Sequence, residues 1–116
     1  MGLTSIDGEV RGPGGEEPVR FLVDSGATYT LLPAEVWQRL ELQPTRTLTF
    51  GLPDASSLQR GVSECEISLA QGRAHTPVIL GEADDEALLG VVTLEVLGLV
   101  LNPFSRRLQP MRMLLA

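Results

Sequence analysis

In Phe21-Leu22-Val23-Asp24-Ser25-Gly26-Ala27-Thr28 an apolar run delivers a carboxylate into a loop of small side chains. Val19, Phe21 and Val23 alternate with Arg20 and Leu22, the period of a pleated strand. Asp, Ser and Gly are ordinary turn residues after a strand, so the tripeptide alone has a purely structural explanation. Three further features argue for more. An apolar strand brings Asp24 straight out of the core, which a solvated turn residue does not need. The small side chains of Ser25, Gly26, Ala27 and Thr28 suit a loop that another backbone approaches closely. Far down the chain stands a second element, Leu88-Leu89-Gly90, followed by a short helix and by Leu99-Val100-Leu101-Asn102-Pro103.

Outward from the loop, the chain reads as short strands broken by turns. Leu3 to Val10 and Glu17 to Val23 form two strands joined through Gly12-Pro13-Gly14-Gly15. Thr30-Leu31-Leu32 is extended again, and Pro33 suits the first turn of a helix with Val36, Trp37 and Leu40 on one face. Leu48, Phe50 and Leu52 alternate with polar residues, and a returning strand from Leu58 to Leu69 makes a long hairpin over Thr45 to Leu69. Its tip, Pro53-Asp54-Ala55-Ser56-Ser57, is polar. Ala74 to Leu80 is a further strand, placed at a sheet edge by Pro77. Gly81 to Glu86 is an acidic loop whose Asp84-Asp85-Glu86 reads as a solvated turn. A helix over Val91 to Leu97 ends at Gly98. Leu99-Val100-Leu101 reads as a buried strand, and a last one starts at Arg107-Leu108-Gln109.

The chain has 116 residues, the size of a single domain over 1–116. Twelve glycines and eight prolines favour short strands over long helices, and with aromatics at 4% the core falls to Leu and Val. A net charge of −6 speaks against nucleic acid as a partner. Cys65 is the only cysteine, which excludes an intrachain disulfide. The stretch from Met1 to Ile6 lacks the build of a signal peptide and the myristoylation pattern. The apolar stretch from Leu88 to Leu101 is too short to span a bilayer, so no membrane partner is expected. The expected location is the cytoplasm.

The segments Phe21 to Thr28 and Leu88 to Pro103 resemble those of the retropepsin-like (retroviral-type) aspartic proteases, in particular the small bacterial single-domain members. Order and separation agree, and the Thr45 to Leu69 hairpin falls where that family has its flap. The resemblance implies a mainly β fold: an acid-protease half-barrel with a flap hairpin and one or two short helices. It implies an aspartic endopeptidase in which Asp24 is catalytic, Ser25, Gly26, Ala27 and Thr28 support the loop, and Leu88, Leu89 and Gly90 lie beneath it. Leu52, Pro53, Asp54, Ala55 and Ser56 would cover a peptide or protein substrate. Retroviral flaps are glycine-rich at the tip, and this one is not. Because the chain carries one Asp-Ser-Gly, the second carboxylate is expected from a second copy, in a homodimer needing no metal and no cofactor. The alternative is a catalytically weak or inactive dimer that keeps the fold as a peptide-binding or scaffold module.

The remaining candidates are weaker. Cys65 lies between Glu64 and Glu66, whose charges would raise a thiol pKa and disfavour a nucleophile. His75 is the only histidine, so a histidine-rich zinc site is impossible. Trp37 reads as core, Ser25 lacks a positioned base, and Arg106-Arg107 reads as a solvated turn pair.

Overall fold

Alternation of inward and outward side chains writes the first hairpin. In the computed structural model, which describes residues 4–112, 114 and 115, strand β1 (Thr4–Gly12) pairs antiparallel with β2 (Gly15–Val23). Val10, Val19, Phe21 and Val23 point inward and are buried, while Glu9, Arg11 and Arg20 stay exposed. After the Asp24 loop come β3 (Thr30–Leu32) and a short helix α1 (Ala34–Arg39). Pro33 stands just ahead of the helix, extended at φ −66 and ψ 158. Val36 and Leu40 are buried, and half-buried Trp37 donates its indole N–H to the Gly81 carbonyl at 2.8 Å.

The expected long hairpin is present as β4 (Arg46–Gly51) and β5 (Ser57–Leu69). β5 then turns into β6 (Gly72–Leu80), and β7 (Leu88–Leu89) leads into helix α2 (Val91–Val96). Gly98 closes that helix in the left-handed region at φ 71. The chain finishes in a separate two-stranded sheet of β8 (Leu99–Leu101) and β9 (Leu108–Pro110).

The main sheet runs β1-β2-β7-β3-β6-β5-β4, and a further pairing of β1 with β5 closes it into a barrel. Val62 pairs with both Arg46 and Ile79, and Ile67 with both Val10 and Ala74. β4 and β1 therefore share one edge of β5, one above the other. The lower half of β5 belongs to the barrel and the upper half projects with β4. Inside sit Phe21, Leu32, Leu40, Ile67 and Leu89, each below 2% exposure. Burial of side chains this size contributes about 1.5–3 kcal/mol each.

Three sequence expectations need correction. Pro77 does not mark an edge, because β6 lies between β5 and β3. The pairing with β3 begins only at Val78, so at Pro77 the strand has β5 alone as a neighbour and the missing N–H is tolerated. The strand Leu99–Leu101 is not buried throughout: Leu99 is, but Val100 on the opposite face is 39% exposed. Aromatics do reach the core, in that Phe21 is fully buried.

Candidate active site

Asp24 stands where β2 leaves the barrel, and its placement follows from how three strands are threaded. β7 pairs parallel with β2 through Leu22↔Leu88 and Val23↔Leu89, and antiparallel with β3 through Leu31↔Leu88. β7 thus lies between β2 and β3, and the loop joining those two must cross over its end. The two sequence elements singled out above, Asp24 to Thr28 and Leu88 to Gly90, meet at this crossing. The Asp24 N–H donates to the Leu89 carbonyl at 3.3 Å.

The loop folds back on its own carboxylate. Gly26 N–H donates to Asp24 Oδ1 at 2.8 Å, and Ala27 N–H donates to the Asp24 carbonyl at 3.0 Å. A Cβ on Gly26 would lie 3.2 Å from that same Oδ1, so a larger residue would press on the carboxylate. Among the described residues Oδ2 has no hydrogen-bond donor, and the side chain is partly exposed at the surface. Asp24 therefore presents one anchored oxygen and one oxygen open to a ligand or a second carboxyl group. Ser25, Gly26 and Thr28 are exposed beside it, and Ala27 is half-buried.

The first amides of α2 finish the loop. Val91 N–H donates to the Ala27 carbonyl and Val92 N–H to the Thr28 carbonyl, each at 2.9 Å. The loop carbonyls thereby satisfy helix donors that no side chain caps.

Beneath them lies a group of residues that reading the sequence missed. Thr30, Thr76 and Thr93 are at most 2% exposed, and their hydroxyls stand 2.6 Å (Thr30 to Thr93) and 2.9 Å (Thr76 to Thr93) apart. Gly90 N–H donates to Thr30 Oγ1 at 3.0 Å. The only available signal was a Thr set among apolar residues in each element.

The expected flap tip is exposed from Leu52 to Ser56. Its hydrogen bonds run within the hairpin: Leu52 N–H to the Ser56 carbonyl at 2.9 Å, and Ala55 N–H to the Leu52 carbonyl at 3.0 Å. Ala55 takes a left-handed φ of 70, and Asp54 accepts both the N–H and the hydroxyl of Ser56. Those two bonds hold the Asp54 carboxyl below the usual carboxylate range. The tip closes on itself without the glycines that the resemblance implies.

The Cys65 thiol is raised as expected, but for a different reason. Its side chain turns into the core, and burial, not the neighbouring carboxylates, pushes the thiol up to about 12. His75 is exposed on β6, 3.8 Å from Glu66 on the facing strand. In the acidic loop Asp85 accepts the Glu82 N–H at 2.6 Å, while the Glu82 carbonyl accepts the Ala34 N–H and its carboxylate the Arg60 guanidinium.

A carboxylate at the mouth of a closed barrel, on a loop locked over an apolar strand and a glycine, defines the retropepsin-like fold. The fold matches the solution structure of Simian Foamy Virus (mac) protease with a TM-score of 0.59 at 20% identity, covering 79% of this chain and 92% of that one. It also matches EIAV protease complexed with the inhibitor HBY-793, with a TM-score of 0.63 at 17% identity, covering 84% and 89%. Residues 10–96 match the family described as "gag-polyprotein putative aspartyl protease", and the chain belongs to that family. The matched span holds both Asp24 and Leu88 to Gly90 and stops short of β8 and β9. No curated protein matches this sequence.

Proposed function

We propose that the chain is an aspartic endopeptidase that works as a homodimer, with Asp24 of each copy facing the other across a two-fold axis. Peptide hydrolysis by this route needs one carboxylate to take a proton from water and another to give one to the carbonyl oxygen. Two carboxylates about 3 Å apart cannot both ionise, so they share a proton and divide the roles. One chain supplies one Asp-Ser-Gly, and a symmetric dimer supplies the second. Ser25, exposed beside Asp24, would bond across the axis and fix the two loops. The β4–β5 hairpin would lie over a bound peptide. The cytoplasm is the compartment we assign to this activity.

The single observation that carries the reading is the Asp24 carboxylate itself. Oδ1 is held at 2.8 Å by Gly26 N–H while the loop backbone is fastened to Leu89, Val91 and Val92. A general acid or base works only when held in place, and a solvated turn Asp would not need so many restraints. The test is cleavage of a peptide library, its inhibition by a peptide carrying a transition-state-like hydroxyl, and loss of both in Asp24→Asn.

One observation favours a second reading. The flap tip is polar and satisfied by its own Asp54 and Ser56, which suits a binding module without turnover. Such a module would bind the hydroxyl peptide no more tightly than its parent peptide and would cleave neither.

A further inference from the structure

The three buried threonine hydroxyls come from β3, β6 and α2, and none of them reaches the Asp24 carboxylate. Their proton directions can nevertheless be worked out. Each hydroxyl carries one proton and can accept from others. If Thr76 donated to Thr93 and Thr93 to Thr30, the Thr30 proton would have no acceptor among the described residues. In the opposite sense every donor is used. Gly90 N–H donates to Thr30, Thr30 to Thr93 (2.6 Å), Thr93 to Thr76 (2.9 Å), and Thr76 to the Pro77 carbonyl at 3.5 Å. The link to Pro77 is the longest of the four, and the Thr30–Thr93 link is the shortest. No buried side-chain nitrogen or oxygen among the described residues lacks a partner.

Gly90 is the point where this network touches the site. The peptide groups on either side of it hold the Asp24 loop, through the Leu89 carbonyl to Asp24 N–H and Val91 N–H to the Ala27 carbonyl. Its own N–H is fixed by Thr30. Whatever sets Gly90 therefore sets the height and tilt of the loop that carries the carboxylate.

We propose that Thr93 is a positioning residue of the Asp24 site: it orients the Thr30 hydroxyl, which holds Gly90 and so keeps the Asp24 loop in register with α2 and β7. Removing the Thr93 hydroxyl leaves the buried Thr30 proton without an acceptor and frees Thr30 to turn away from Gly90. Small displacements of a reacting group lower turnover far more than they weaken substrate binding. This inference rests on the dimeric protease reading, and one arm of its test does not.

Thr93→Val keeps the side-chain volume and loses the hydroxyl, whereas Thr93→Ser keeps the hydroxyl. With active sites counted by titration with a hydroxyl-bearing peptide inhibitor, Thr93→Val should lose about tenfold in kcat with KM changed less than about twofold. Thr93→Ser should recover most of that loss. Independently of turnover, amide exchange at Gly90 and Gly26 should quicken about tenfold in Thr93→Val while Phe21 and Val78 keep their protection. Unchanged kcat per titrated site, or glycine amides that follow the core amides, would overturn the proposal. If Thr93→Val does not fold, Thr76→Val removes the acceptor of the Thr93 proton and is read by the same two glycine amides. A wild type without turnover whose glycine amides still respond to Thr93→Val would sink the protease reading and support the positioning role.

Discussion

The Cβ that Gly90 lacks would lie 2.4 Å from the carbonyl carbon of Tyr29 and 2.6 Å from its oxygen. These are backbone atoms of the Asp24 loop and cannot swing aside as a side-chain end could. The two parts of the site are thus tied by a missing methyl group. Gly90→Ala should destabilise the fold by about 1–3 kcal/mol, the usual cost of overpacking, and displace the loop. Gly51, in the flap strand, has nothing within 4 Å of such a Cβ and serves as the control. Thermal unfolding should separate the two variants clearly; a Gly90→Ala protein that melts with the wild type would contradict the packing argument.

Cys65 predicts a pH dependence with a definite sign. Burial raises the folded thiol to about 12, above the roughly 8.5 of an unfolded cysteine. Stability from this group is fully present below the unfolded value and is lost as pH climbs from there through the folded one. Native protein should react slowly with an aromatic disulfide reagent at pH 8, and unfolded protein quickly. The alkaline fall in denaturation midpoint should be shallower in Cys65→Ala, whatever the variant costs in absolute stability. An equal slope in both proteins would show that the thiol is not desolvated.

The hairpin gives a prediction about motion. Its tip is exposed and bonded only to itself, so amide exchange from Asp54 to Ser57 should be fast in the free protein. A bound peptide inhibitor should slow it. Because Ser56 holds the Asp54 carboxyl below its ordinary value, the tip turn should stay intact above the usual carboxylate range. It should loosen as pH falls through that depressed value. Ser56→Ala should bring the loosening to higher pH. Equal exchange with and without inhibitor would argue against a closing flap.

The C-terminal end bears on assembly. Leu114 at 81% and Leu115 at 104% expose apolar side chains beyond β9, and Phe104 at 94% does so in the turn between β8 and β9. Met113 and Ala116 lie outside the described residues. If the proposed dimer buries this segment, ending the chain after Pro110 should weaken it by the loss of apolar burial, worth roughly 25 cal/mol per Å². Sedimentation across a concentration series measures this, and an unchanged dissociation constant would place the tail away from the interface.

Much of this architecture was legible because it rests on period and punctuation. Alternation at Val19, Phe21 and Val23 located β2, and the small residues after it located the Asp24 loop. Leu88-Leu89-Gly90 was legible as a partner element only through the family resemblance, since nothing local says that β7 lies between β2 and β3. Pro77 misled because a missing N–H tells of one unpaired position, while the strand around it can still be internal. The Cys65 environment was misjudged because neighbours in a strand point to opposite faces, which separates the thiol from Glu64 and Glu66. The threonine network was invisible: Thr30 and Thr93 lie 63 residues apart and meet only through the fold.

The most direct test compares peptidase rate and dimer dissociation constant against pH for the wild type and Asp24→Asn. In the proposed dimer, two Asp24 carboxyl groups divide the roles of acid and base, so the rate should be bell-shaped in pH. Like charge gathered at the proposed two-fold axis opposes assembly, so removing the carboxyl groups should not weaken the dimer. Asp24→Asn removes both charges; it should abolish cleavage and leave the dimer as tight or tighter near pH 7. A variant that still cleaves at a comparable rate would make Asp24 a structural loop residue and contradict the account at its centre.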